Sequence, residues 1–131
     1  METLFTKIIR GDIPCYKVAE DDRFFAFLDI NPLAEGHTLV VPKNPVDYIF
    51  DIENQELGDM LIFAKKVAKA IKENFPCKKV GLTVIGLEVP HAHIHLIPIN
   101  GLHDMDFKRD KLKLSSERFK EIAEQLADTI A

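Results

Sequence analysis

The sequence predicts an α+β fold built on a mostly antiparallel sheet of about five strands. Three observations carry that expectation. Short β-branched and aromatic runs come early, paired across turn residues; one long helical stripe then interrupts them; and no regular strand–helix alternation of the parallel kind appears. The 131 residues fit one domain with a real core, and no repeat, low-complexity tract or linker divides them. Residues 1–131 are therefore expected to form a single domain, with a core over about 4–99 and an extension over about 100–131.

The elements follow in order. Thr3 can cap a short helix over the next residues, and Gly11 can stop it. Ile13-Pro14 begins an extended stretch. CYKVA (15–19) and RFFAFLD (23–29) read as strands joined by the turn Glu20-Asp21-Asp22. Residues 31–36 form a loop punctuated by Pro32 and Gly36, and residues 37–41 form a buried strand stopped by Pro42. From about Asn54 to Phe75, Leu57, Met60, Leu61, Ala64, Val67, Ala68, Ile71 and Phe75 recur at helical spacing. Lys65, Lys66, Lys69 and Lys72 fall mostly off that stripe and read as a solvated surface. Residues 80–85 and 91–97 read as two more strands. After a polar loop (100–113), Ser115 or Ser116 can cap a last helix whose stripe is Phe119, Ile122, Ala123, Leu126, Ala127 and Ile130.

Composition excludes several classes. Seventeen basic and 21 acidic residues give a net charge of -4, which argues against broad binding to nucleic acid or to an anionic membrane surface. No apolar run approaches the roughly 18 residues of a membrane span, and the first residues lack the form of a secretion signal. Cys15 and Cys77 are the only cysteines and have no framework spacing, so a cytoplasmic protein with reduced thiols is expected.

Residues 90–99, PHAHIHLIPI, hold three of the five histidines. On a strand, His91, His93 and His95 share one face while Ala92, Ile94 and Leu96 share the other. Three readings compete for the histidine face. It can be a row of solvated or hydrogen-bonded rings. It can bind a metal, since imidazole is the commonest transition-metal ligand. Three ligands on one straight strand suit a metal poorly, because the outer attachment points lie ~13 Å apart and Zn–N bonds are only about 2 Å. The third reading is nucleophilic catalysis, which suits the pattern best. Neutral imidazole attacks phosphorus well near pH 7, the phosphorylated ring leaves readily, and flanking rings supply N–H donors.

HAHIHLIP resembles the His-x-His-x-His signature of the histidine triad (HIT) family. The stretch LFTKIIRGDIPCYKVAEDDRFFAFLDINPLAEGHTLVVPK is similar to the N-terminal half of that family's nucleoside phosphoramidase branch, so the likeness runs from about Leu4 to Ile99. The resemblance implies a HIT-like fold, an α+β sheet with one long central helix and a short N-terminal helix, to which this chain adds a C-terminal helix. It also implies pairing as a homodimer, binding of a purine mononucleotide or nucleotidyl conjugate, and cleavage at the α-phosphate through a nucleotidyl-histidine intermediate. On it, His93 is the nucleophile, His95 stands beside the phosphate and leaving group, and His91 and His37 support the network. Asp29 would meet the ribose hydroxyls, and Phe5, Ile8 and Ile30 would wall the base.

Three departures qualify the likeness. Relatives carry an Asn and a Gly-Gln-x-Val stretch before the triad, whereas residues 81–90 read GLTVIGLEVP, with Leu87 and Glu88 where phosphate contacts are expected. Thr83 is a candidate replacement donor, and the Glu88 carboxylate would repel phosphate unless turned away or paired. Relatives with structural zinc have Cys-x-x-Cys near the N-terminus and a His after Pro-Lys; Thr3, Thr6 and Asn44 stand there, so no metal or other cofactor is expected. The segment after Asn100 is unlike the short tails of that branch; it could cover the pocket or extend a dimer contact, and completing the core is its default role. The expected function is therefore a phosphoramidase-like nucleotide hydrolase or transferase, with a purine-nucleotide-binding module of lost chemistry, or a His-ligated metal protein, as rivals.

Overall fold

A five-stranded, wholly antiparallel sheet carries three helices, its strands lying side by side in the order Lys17–Glu20, Phe24–Leu28, Thr38–Pro42, Ile94–Ile99 and Lys79–Thr83. The computed structural model describes residues 1–131. The elements are α1 (Leu4–Arg10), β1 (Lys17–Glu20), β2 (Phe24–Leu28), β3 (Thr38–Pro42), α2 (Asn54–Asn74), β4 (Lys79–Thr83), β5 (Ile94–Ile99) and α3 (Ser116–Ile130). No helix is long and apolar enough to cross a membrane.

Local chemistry explains most boundaries. The Thr3 hydroxyl accepts the Thr6 N–H at 3.1 Å while the Thr6 hydroxyl and the Thr3 backbone bond in return, closing a capping box on α1. Gly11, at φ 89°, turns the chain out of that helix in a conformation only glycine adopts freely. Asp21 Oδ1 accepts the Arg23 and Phe24 N–H groups and so shapes the β1–β2 turn. Ser115, not Ser116, caps α3 by accepting the Arg118 N–H at 3.1 Å.

The sheet has two buried faces. Alternate residues of the central strands (Phe24, Ala26, Leu28, Val40, Ile94 and Leu96) join α2 and α3 in a core of 20 buried residues. Phe119, Ile122, Ala123 and Leu126 of α3 belong to it, so the C-terminal helix completes the core. Each large side chain so buried contributes about 1.5–3 kcal/mol. On the opposite face Phe25, Phe27, Leu39 and Val41 pack with Phe5 and Ile8 of α1. The site grows from this second, smaller cluster.

Several expected boundaries shift. Pro42 lies inside β3, paired with Phe24, rather than ending the strand before it. The strand expected over 80–85 is Lys79–Thr83. The strand expected over 91–97 begins only at Ile94, because the His91 N–H turns back to the Val89 carbonyl (2.8 Å) and the Ala92 N–H goes to Val46 (2.7 Å), outside the ladder. In α2 the buried stripe also takes in Phe63 and Ala70, while Leu61 faces solvent. The four lysines are exposed as expected.

Candidate active site

Alternation across the sheet survives the late start of β5. Phe27, Leu39 and His95 stand opposite one another on successive strands and face the α1 side, where His91 and His93 both pack edge-on against Phe5. The ring centroids lie 5.5 and 4.9 Å from that of Phe5, and His93 and His95 lie 4.9 Å apart. His37, just ahead of β3, completes the group at 5.2 Å from His95. It is delivered by the 29–37 loop, in which Gly36 takes φ 95° and any Cβ would meet the Phe75 ring at 2.9 Å. All four expected histidines are thus brought together.

Hydrogen bonds fix the protons. The His93 Nδ1 lies 2.8 Å from the His91 carbonyl. A carbonyl only accepts, so Nδ1 carries a proton, and in the neutral ring Nε2 then has the free lone pair. The His91 Nε2 donates to the Pro42 carbonyl at 2.7 Å, and its Nδ1 accepts the Thr3 hydroxyl at 2.7 Å. The Leu33 N–H donates to the His37 Nδ1 at 3.0 Å, which puts the His37 proton on Nε2, 3.0 Å from the His95 Nδ1. That nitrogen therefore accepts, and the His95 proton sits on Nε2. Burial pushes His37 down to about 3 and His95 down to about 4, and it also lowers His91, so all three are neutral near pH 7. Only the Nε2 atoms of His93 and His95 lack a protein partner, and no buried side-chain polar atom is unpaired, so both reach the solvent.

They open onto a cavity of about 520 Å³ whose lining includes His93, His95, Asp29, Phe5, Ile8, Ile30 and Glu88. Phe27 and Leu39 extend the apolar wall. Ile30 is 63% exposed, so it forms a rim rather than a buried wall. Asp29 divides its oxygens. Oδ1 accepts the Asn31 N–H at 2.8 Å, the ordinary turn role, while Oδ2 lies 3.5 Å from the His37 Nε2. Burial raises its pKa, with the Asn31 N–H opposing. His37 and His91 stand behind the lining as supports, and Thr83 is the expected substrate-binding residue that does not reach the cavity. It stands opposite His95 in the ladder, but residues 85–89 supply that wall instead.

Asp29, His37 and His95 place one ligand atom each within 4.8 Å of one another. The hydrogen bonds do not suit a metal there. A metal-bound imidazole ordinarily donates from its other nitrogen, whereas the His37 Nδ1 accepts from Leu33. The cluster's two rings instead form a hydrogen-bond chain, from the Leu33 N–H to His37 and from the His37 Nε2–H to His95. The sequence reading missed Phe107 and Lys111 in the wall, the Thr3 hydroxyl as a partner of His91, and the Leu33, Pro42 and His91 backbone groups. A lone phenylalanine in the polar 100–113 stretch was the one available signal for the C-terminal wall.

Comparisons with known proteins agree with this fold. A family model described as the HIT domain matches residues 10–102. A HIT-like protein of Borreliella burgdorferi is 38% identical over 137 residues, covering 98% of this chain and 99% of its own. The adenosine 5′-monophosphoramidase hnt1 of Schizosaccharomyces pombe is 35% identical over 132 residues, covering 99% of each chain. Among solved structures, a HIT-like protein of Bartonella henselae superposes with a TM-score of 0.83 at 30% identity, over 98% of this chain and 96% of that one.

Proposed function

The chain belongs to the HIT family, and from that premise we propose that it hydrolyses purine nucleoside 5′-phosphoramidates or related nucleotidyl conjugates through a nucleotidyl-histidine intermediate. One observation carries the reading: the unprotonated Nε2 of His93 opens onto a cavity beside the protonated Nε2 of His95. A bond from the His93 Nε2 to the α-phosphorus forms as the bond from phosphorus to nitrogen breaks, and that nitrogen, having taken a proton from solvent, departs as the neutral amine. The ring becomes cationic while its Nδ1–H stays on the His91 carbonyl, which favours that positive charge. His95 donates from Nε2 to a phosphate oxygen or to the departing group, and the His37 Nε2–H holds it in that tautomer. Water then displaces the ring and frees the mononucleotide.

Phe5, Ile8 and Ile30 suit a purine face, and the Asp29 Oδ2 suits the ribose hydroxyls. A single domain over residues 1–131 is supported by the α3 side chains in the main core. β4 is an edge strand, which supports pairing of two copies through a continuous sheet. Two free thiols support a reducing, cytoplasmic setting. The test is single-turnover release of amine from an adenosine phosphoramidate. A burst that His93→Ala abolishes while the variant still binds AMP supports the enzyme. AMP binding with no release by the wild type supports a binding module with lost chemistry.

A further inference from the structure

The cavity wall carries two carboxylates, Asp29 and Glu88, and a single lysine or arginine, Lys111. A phosphoryl group brought to His93 adds negative charge to a wall whose carboxylates already oppose it. His37, His91 and His95, held neutral by burial, bring no positive charge to that wall, and of the three only His95 has an open N–H there. The permanent cation comes from the segment between β5 and α3. Its ammonium donates to the carbonyls of Phe107 and, at 3.1 Å, Arg109. An ammonium has three N–H donors, so one remains for a ligand. The charge already bears on Asp29 and His37: burial raises the pKa of Asp29 and lowers that of His37, and Lys111 opposes the first and adds to the second.

The same segment and the first turn of α3 are fastened to the loop that delivers Asp29 and His37. The Leu112 N–H donates to the Pro32 carbonyl at 2.8 Å, and Arg118 grips both oxygens of Glu35 at 2.7 and 2.9 Å. Between these fastenings and β5, Phe107 sets its ring edge-on to His95 at 4.8 Å. The C-terminal segment thus reaches the site with one aromatic wall and one charge.

The geometry points to Lys111 as a substrate-binding residue whose ammonium receives the anionic phosphoryl oxygens of the nucleotide. This rests on the reaction proposed above and assigns the C-terminal segment a part in it. The experiment compares wild type, Lys111→Met and Lys111→Arg in binding AMP and adenosine and in the KM and kcat for an adenosine phosphoramidate. Lys111→Met is expected to weaken AMP binding and raise KM by about tenfold, a typical worth for one charge-assisted hydrogen bond. Adenosine affinity should stay within about twofold, the salt dependence of AMP binding should flatten, and Lys111→Arg should recover most of the loss. Equal losses for AMP and adenosine would mean that the lysine only ties its loop, and unchanged AMP binding would mean that phosphate lies elsewhere; either overturns the inference. Wild-type turnover that survives Lys111→Met intact overturns it alone, whereas a wild type that binds neither ligand removes the proposed reaction as well.

Discussion

The two faces of residues 91–96 are both buried and yet have opposite chemistry. Ala92, Ile94 and Leu96 are at most 1% exposed and hold their places by contact within the main core. His91, His93 and His95 are 0, 8 and 8% exposed and hold theirs by hydrogen bonds to Thr3, Pro42, the His91 carbonyl and His37. Burial therefore does not separate scaffold from site here; the accounting of ring nitrogens does. His91 and His37 have both nitrogens committed, while His93 and His95 each keep one open to the cavity. Folding strength and reactivity lie back to back across the thickness of one strand, so they should respond separately to substitution.

The largest separation should come from His93→Ala. Loss of the nucleophile is expected to reduce turnover by more than about 10⁴-fold, over 5 kcal/mol of barrier, while thermal stability changes little because water from the cavity can serve the His91 carbonyl. Ile94→Ala, one residue along and on the other face, should do the reverse. It empties a 0%-exposed position in the core and should destabilise by about 2–5 kcal/mol in denaturant titration. Turnover per folded molecule should be nearly unchanged. If Ile94→Ala removed activity without loss of stability, the two faces would not be independent.

What was legible in the sequence was local. Caps at Thr3 and Gly11, the β-rich runs, the α2 and α3 stripes and the His-x-His-x-His alternation each depend on near neighbours, and each matches the structure in kind. The fold class follows from their order. What was illegible depends on distant backbone. The start of β5 is set by Val46 taking the Ala92 N–H, and the tautomers are set by Leu33, Pro42 and the His91 carbonyl, groups without a side-chain signature. Lys111 and Phe107 reach the cavity because their segment is fastened to Pro32 and Glu35, about 80 residues earlier in the chain. Asp29, read as either a turn former or a ligand, already serves the turn with one oxygen and leaves the other at the cavity.

Acid should sharpen the contrast by attacking the histidine face alone. His37 and His95 have ordinary values of 6.5 and folded values of about 3 and 4. A histidine whose folded pKa is depressed takes up its proton more readily when unfolded. Its contribution to stability is complete above about 6.5 and is lost as pH falls from there towards the folded value. At about 1.4 kcal/mol per pH unit for each ring, the pair should cost about 3 kcal/mol between pH 7.5 and 5.5. Asp29 opposes this slightly, since its raised pKa favours the folded state as it protonates. Denaturant midpoints measured across that range should fall for the wild type and fall less for His37→Gln. A flat profile would mean that these rings are not held neutral.

The smallest effect should come from Thr3, which touches the histidine face from outside the sheet. Its hydroxyl accepts the Thr6 N–H and donates to the His91 Nδ1, so one oxygen ties the start of α1 to the triad. Thr3→Val keeps the shape, removes the helix cap and strands the buried Nδ1. Together these should cost about 1–3 kcal/mol of stability. Because His91 holds the His93 Nδ1–H through its own carbonyl, a looser His91 should also misalign the nucleophile. The expected result is a kcat lowered by about tenfold with KM nearly unchanged, and Thr3→Ser should restore both properties. If Thr3→Val lost stability with full kcat, the tie would belong to the scaffold face only, and the boundary between the two roles would fall between His91 and His93.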